Sequence, residues 1–262
     1  MNYLAIAKEA AKRAGAVHKK YFRGSFNVRT KSASYDLCTS ADTQAEKAVV
    51  SYINSVCPGH NFLCEEKNYS KKQSDYTWII DPLDGTNNFA CGIPLFCVSV
   101  ALRYKNELIS GAVYDVMHDE LFYAQKDKGA FLNGKRISVN KVSQIKDAML
   151  ITGFYYDRGQ EMSKNLDAVE RFLSAQVLGV RRFGSAALDL SYVACGRAAG
   201  FWEFELSPWD FAAGILLVKE AGGKVTGRRG EKTLLTQLQF IVASNSRMHK
   251  KMLSVINCKD SR

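Results

Sequence analysis

The stretch Trp78-Ile79-Ile80-Asp81-Pro82-Leu83-Asp84-Gly85-Thr86 runs from three large apolar residues into two carboxylates three positions apart, then a glycine and a hydroxyl. The apolar lead reads as a buried strand, and strand ends are where α/β proteins place ligand groups. Pro82 locks the backbone between the acids. Both side chains and the Leu83 carbonyl can then be aimed at one point, which suits a hard cation that takes oxygen ligands. The competing reading is a strand-ending turn whose acids cap the next helix.

Two other acidic positions lie outward from this core. Glu65-Glu66 follow the short apolar run Phe62-Leu63, so at least one should emerge at a strand end, although in isolation a solvated charge pair is the favoured reading. Ser207-Pro208-Trp209-Asp210 opens an apolar helix with Ser207 as N-cap, Pro208 at the first position and Asp210 at the third, a capping-box arrangement that accounts for Asp210 without catalysis. Capping does not explain three separate acids at strand ends or helix starts beside Gly85-Thr86, whose N–H groups suit a phosphate. Leu83-Asp84-Gly85-Thr86 also resembles part of the DxDGT signature of aspartyl-phosphate phosphatases. The nucleophile of that signature would fall at Pro82, so a metal-activated water is the better reading.

The rest of the chain frames these acids. Its 262 residues are 47% hydrophobic and 24% charged, enough for one large core or two fused halves. Leu4, Ala7, Ala11, Ala14, Val17 and Tyr21 predict an amphipathic helix. A second is expected after Ser40, with Asp42 in its first turn, Ala45, Val49, Tyr52, Ile53 and Val56 inward, and Pro58-Gly59 as its stop. Strands are expected at 76–80, 96–101, 108–113 and 120–124, a largely antiparallel set under helices. After about Lys146, strand-like runs at 149–152, 177–180 and 240–243 alternate with helical stretches near Met162, Ala186, Phe211 and Met248, as in an α/β half. The expected order of layers is helix, sheet, helix, sheet, helix.

Taken together, Asp81-Pro82-Leu83-Asp84-Gly85-Thr86, Glu65-Glu66 and Pro208-Trp209-Asp210-Phe211-Ala212-Ala213-Gly214 closely resemble the inositol monophosphatase family. The likeness extends through Tyr35-Asp36-Leu37, the run from Lys128 to Gly134, Gly184-Ser185-Ala186-Ala187-Leu188-Asp189-Leu190 and Glu220-Ala221-Gly222-Gly223, in the family's order. The resemblance implies an αβαβα sandwich of the inositol monophosphatase and fructose-1,6-bisphosphatase type. It also implies a lithium-sensitive phosphomonoesterase that is dependent on Mg²⁺, two to three ions per site, and is usually a homodimer. By matched positions, Glu65, Asp81 and the Leu83 carbonyl would hold a first ion and Asp81, Asp84 and Asp210 a second, with Glu65 helping a third. Thr86, supported by Asp42, would orient the attacking water, and Gly85 and Thr86 would bind phosphate oxygens. Glu203 would meet the hydroxyls of the alcohol, with Ser185 and Ala186 along the same wall and Asp210 also near the substrate. Residues 1–146 would form an α+β half with most metal ligands, and 147–262 an α/β half with Asp210 and the substrate contacts, in one compact unit. Cys64 stands where the family commonly has glycine and the stretch 67–75 is short, so the lid is where this chain is expected to differ.

The leading expectation is hydrolysis of inositol-1-phosphate, with fructose-1,6-bisphosphate, histidinol phosphate or a 3′-phosphonucleotide as alternative substrates. Lysine and arginine exceed aspartate and glutamate by 36 to 26, a formal charge of +10. The basic residues are scattered and not interleaved with aromatics, so they read first as a solvated surface and do not directly indicate nucleic acid. A regulatory protein binding RNA polymerase or ribosomal RNA is the alternative of another class. Seven cysteines without a CxxC pair and an N-terminus lacking a signal-peptide pattern point to the cytoplasm, and no apolar run is long enough for a membrane span. His18, His60, His118 and His249 are far apart in sequence, and surface or turn positions are expected for them. Arg181-Arg182 reads equally as a dimer contact or as plain solvated charge.

Overall fold

The computed structural model describes residues 1–25, 27–30, 37–154 and 159–258. Tyr35 and Asp36 of the Tyr35-Asp36-Leu37 match lie outside the described residues. Helix α1 (Tyr3–Tyr21) starts at Asn2, whose side chain accepts from the Ala5 N–H, and buries Ile6, Ala7, Ala10, Ala11 and Ala14. Strands β1 (Val28–Thr30) and β2 (Leu37–Thr39) pair as a small antiparallel sheet leading into α2 (Ser40–Val56). Thr39 and Asp42 cap α2 reciprocally, and its inner face is Ala41, Ala45, Val49 and Ile53. Tyr52 is only half-buried, and Val56, at 36% exposure, faces out because the helix has already turned away from the core at its last residue.

Strands β3 (Asn61–Cys64), β4 (Tyr76–Asp84), β5 (Cys97–Tyr104), β6 (Glu107–Asp115), β7 (Glu120–Gln125), β8 (Gly129–Leu132) and β9 (Lys135–Ile137) form one sheet in that order. Helix α3 (Thr86–Ala90) follows β4. Only β3 and β4 run parallel; every other pair is antiparallel. Side chains alternate between the two faces. Trp78, Ile80, Val98, Val100 and Ala112 pack with α1 and α2, whereas Ile79, Cys97, Ala101 and Val113 pack the other way.

A second sheet is built from β10 (Met149–Thr152), β11 (Gly179–Arg181), β12 (Gly200–Leu206), β13 (Lys224–Thr226) and β14 (Gln239–Ser244), in the order β11-β10-β12-β14-β13. The intervening helices are α4 (Gln160–Ser174), α5 (Ala186–Ala194), α6 (Pro208–Glu220) and α7 (His249–Ile256). Ile151, Phe201, Ile241 and Ala243 join α5, α6 and the first sheet in one core, while Leu150, Trp202 and Val242 pack outward against α4 and α7. The layers are therefore α1/α2, seven strands, α5/α6, five strands, α4/α7. Helix α6 lies between two sheets, which is why Phe211 to Val218 is apolar on every side. The expected strand at 177–180 falls at Gly179–Arg181, and the short strands β1, β2, β8, β9 and β13, together with β12, are additions to the expected set.

Two expectations are corrected here. His18 and His249 are core residues, at 0% and 1% exposure. His18 is edge-on to Phe89 and Phe96, and burial lowers its pKa to about 3, so it stays neutral. The His249 ring bridges the hydroxyls of Thr226 and Ser244, each at 2.9 Å. His60 is half-buried, accepting from the Trp78 indole at 3.1 Å; of the four, His118 is the one in an exposed turn. Cys38, Cys57, Cys64 and Cys97 are buried, but Cys91 and Cys258 are exposed. No helix among the described residues is long and apolar enough to cross a membrane.

Candidate active site

The two acids of β4 lie within the strand rather than after it. Asp81 pairs with Ser99 and Asp84 with Cys97, so three steps on β4 oppose two on β5. On a regular strand, residues three apart point to opposite faces; the extra residue brings both carboxylates to one side. Pro82 sits inside this bulge, where a missing N–H costs no ladder bond. Gly85 then turns the chain with φ 97°, and a Cβ there would meet the Leu95 carbonyl at 3.0 Å.

Glu65 follows β3, whose last residue Cys64 pairs with Ile80, so Glu65 comes alongside Asp81. Glu66 turns the other way: its N–H donates to Glu46 Oε2 at 2.9 Å, and its carboxylate accepts from Cys38 Sγ at 3.0 Å. The adjacent pair thus divides, with only Glu65 on the cavity. Asp210 arrives from the second half, as a helix cap that also faces the acids of β3 and β4. Its Oδ2 accepts from the Ser207 N–H at 2.7 Å as a cap, and it lines the same cavity as Glu65, Asp81 and Asp84.

That cavity, of about 300 Å³, is also lined by Leu83, Gly85, Thr86, Ser185, Ala186 and Glu203. The Thr86 hydroxyl lies 2.8 Å from Asp42 Oδ1 and 2.9 Å from the Leu83 carbonyl. Asp42 is fully buried, and its other oxygen accepts from the Thr39 N–H and hydroxyl at 2.7 and 2.6 Å. Burial pushes its carboxyl up to about 6 in spite of these bonds. One oxygen of Asp84 accepts from the Ser185 hydroxyl and the Ala187 N–H, both at 2.7 Å, and burial likewise pushes it up to about 6. Burial, and then the charges of Glu65, Asp84 and Asp210, hold Asp81 well above the usual carboxylate range; burial, Glu65 and Asp84 do the same to Asp210.

Such a set is unfavourable without positive charge. Among the described residues no three acidic, histidine or cysteine side chains already converge in ligating geometry; Asp81 and Asp210 are turned to N–H groups of their own loops, and Asp84 to Ser185 and Ala187 at the start of α5. The chemistry of the donors still fits a hard divalent cation, since Glu65, Asp81, Leu83, Asp84 and Asp210 line one cavity and the neighbouring carboxylates raise the proton affinity of Asp81 and Asp210.

Several lining residues carry no local sequence signal. Arg182 is exposed and lines the cavity, where its charge acts on Glu203, a place that nothing in Arg181-Arg182 foretells. Asn88 joins α3 to the second half, donating to the carbonyls of Leu95 and Phe183, both at 2.7 Å. Asp189, on α5, is buried with neither oxygen hydrogen-bonded.

The comparisons with known proteins fit this geometry. A family model described as the inositol monophosphatase family matches residues 2–261. The chain belongs to the inositol monophosphatase family. It is similar to the Nus factor SuhB of Pseudomonas aeruginosa, 41% identical over 262 residues that cover 97% of this chain and 95% of that one. It is also similar to the inositol-1-monophosphatase of Synechocystis sp., 39% identical over 251 residues, 95% of this chain and 87% of that one. The extragenic suppressor protein suhB of Bartonella henselae superposes with a TM-score of 0.94 at 35% identity, over 99% of this chain and 100% of that chain. An IMPase/NADP phosphatase solved with Mg²⁺ and phosphate superposes with a TM-score of 0.83 at 26% identity, over 96% of this chain and 95% of that chain. The family makes this chain a phosphoric monoester hydrolase.

Glu203 of this phosphatase lies on β12 rather than facing water, at 8% exposure. Burial pushes its carboxyl up from 4.5 to about 8, with Arg182 opposing and Asp84 reinforcing. The folded state therefore holds this proton more tightly than the unfolded chain, and stability is lost as pH rises from about 4.5 to about 8. Glu203→Gln removes that loss. In chelator its unfolding free energy should exceed that of the wild type at pH 8.5 by a few kcal/mol at most, since a tenfold change in proton affinity is worth about 1.4 kcal/mol, and the difference should vanish towards pH 4, below both pKa values. Equal differences at both pH values would show that Glu203 is not held neutral by the fold.

Proposed function

We propose that this phosphatase hydrolyses inositol-1-phosphate to inositol and phosphate. The observation that supports the substrate is Glu203, a buried carboxyl that shares one cavity with the acid cluster from the opposite half of the chain and suits vicinal hydroxyl donors. Glu65, Asp81 and the Leu83 carbonyl hold one Mg²⁺ in this reading; Asp81, Asp84 and Asp210 hold a second, and Glu65 assists a third. When bound, these ions neutralise the carboxylates, lower the pKa of water and cancel charge on the phosphate. The Thr86 hydroxyl donates to Asp42, which leaves its lone pairs to accept from the attacking water and fix it in line with phosphorus. The N–H groups of Gly85 and Thr86 take phosphate oxygens, and Ser185 and Ala186 border the alcohol. Homodimer formation and a cytoplasmic location rest on the family likeness and on a cysteine set suited to a reducing compartment.

Initial rates of phosphate release from inositol-1-phosphate, fructose-1,6-bisphosphate, histidinol phosphate and a 3′-phosphonucleotide test the substrate. The highest kcat/KM should fall on the inositol ester, and a clear preference for any of the others would replace it. Li⁺ should inhibit uncompetitively at fixed Mg²⁺, because a small monovalent ion among Asp81, Asp84 and Asp210 supplies less charge when phosphate leaves; insensitivity would remove that second position. The charge of +10 and the relative named Nus factor SuhB favour a second reading, in which the chain also binds RNA or RNA polymerase. An RNA complex made through several phosphates should weaken steeply as salt rises.

A further inference from the structure

Glu203 is held in a seat made by Gly153. A Cβ on Gly153 would fall 2.0 Å from Glu203 Oε2, so any larger residue would displace the carboxyl. Gly153 follows β10, and what fixes it comes from α4: the side-chain NH₂ of Asn165 donates to the Gly153 carbonyl at 2.7 Å. The same amide accepts through Oδ1 from the Trp202 indole at 2.5 Å, and Trp202 immediately precedes Glu203 on β12. The Thr152 hydroxyl closes the unit by donating to the Trp202 carbonyl at 2.9 Å. Thr152, Asn165 and Trp202 are buried, at 1%, 1% and 0% exposure, in the layer behind the cavity.

We propose that Asn165 is a positioning residue for alcohol selectivity: one buried amide locks the glycine seat to the strand carrying Glu203, and so sets where that carboxyl meets a polyol. Asn165 does not line the cavity and acts only through Gly153 and β12. Its loss should let the seat and the strand slide apart, weakening recognition of hydroxyls while leaving the metal-site carboxylates in place. The inference rests on the reading that Glu203 faces the alcohol.

The test compares kcat/KM for inositol-1-phosphate with that for p-nitrophenyl phosphate, which has no hydroxyls to offer, in wild type, Asn165→Ala, Gly153→Ala and Glu203→Ala, all with saturating Mg²⁺. Asn165→Ala should lower the polyol-to-aryl ratio by about 10- to 100-fold, mainly through KM, as expected for misplacement from outside the site. Gly153→Ala should act in the same direction, and the double variant Asn165→Ala/Glu203→Ala should lose no more selectivity than Glu203→Ala alone. Should Asn165→Ala melt below the assay temperature, Gly153→Ala and the isosteric Asn165→Asp carry the test, and an unchanged ratio in both overturns the proposal. Equal losses on both substrates mean a structural role and also overturn it. If Glu203→Ala lowers the ratio and Asn165→Ala does not, the proposal fails while the reading of Glu203 stands. If Glu203→Ala leaves the ratio unchanged, that reading fails and the proposal falls with it.

Discussion

Asp84→Asn should lower kcat by at least about 10³-fold, a loss of ~4 kcal/mol of transition-state stabilisation, and leave Tm no lower than the wild type. The oxygen that accepts from Ser185 and Ala187 takes both bonds by itself, so the amide oxygen of asparagine can replace it and keep β4 joined to the start of α5. What changes is the other oxygen, which becomes an NH₂ that cannot bind a cation. Burial already pushes the Asp84 carboxyl up to about 6, so removing its charge relieves a cost in the ion-free protein. Parallel melting curves and Mg²⁺ titrations separate the two effects. Near wild-type turnover would remove Asp84 from the chemistry; a large fall in Tm would make its role the joining of the two halves.

Thr86→Ala should cost kcat roughly 10²- to 10⁴-fold, in the range of a positioned acid–base group, with KM little changed. The residue 86 N–H survives the substitution, so a phosphate contact there is retained. Asp42→Asn should fall in the same range, because Asp42 meets Thr86 with one oxygen and the cap of α2 with the other. An asparagine that keeps the cap presents its NH₂ to Thr86 and reverses that bond. Since both residues act through one hydroxyl, the double variant should be little worse than the worse single one. Losses that multiply, or a raised KM at unchanged kcat, would make Thr86 a turn residue that ties the Leu83 carbonyl to the start of α3.

The contrast between these residues and Asn165 shows what a linear sequence exposes. Asp81, Asp84 and Asp210 were legible because each sits where a local signal changes: an apolar strand ending in acids around a proline, or a Ser-Pro helix start. The layers were legible because α6 has no polar face and β4 to β6 read as nearly continuous apolar runs, as strands covered on both faces do. The bulge that turns Asp81 and Asp84 to one side was not, because it exists only in the pairing with β5. Arg182 looked like surface charge, since nothing in Arg181-Arg182-Phe183-Gly184 reports that Glu203 lies nearby. His18 is buried because it continues the inner stripe of α1, seven residues after Ala11 and four after Ala14, a place that its polarity masks in the sequence. Gly153 and Asn165 are ordinary in sequence and acquire meaning only where β10, α4 and β12 meet.

The most direct measurement is phosphate release from inositol-1-phosphate while Mg²⁺ is titrated from chelator to excess, with protein and substrate fixed. Four clustered carboxylates acting through bound cations predict no turnover in chelator and a saturable rise with Mg²⁺ that Asp84→Asn and Asp210→Asn shift or abolish. Turnover in chelator equal to that in Mg²⁺, or a titration unaffected by either substitution, would contradict a cation-dependent site at these residues.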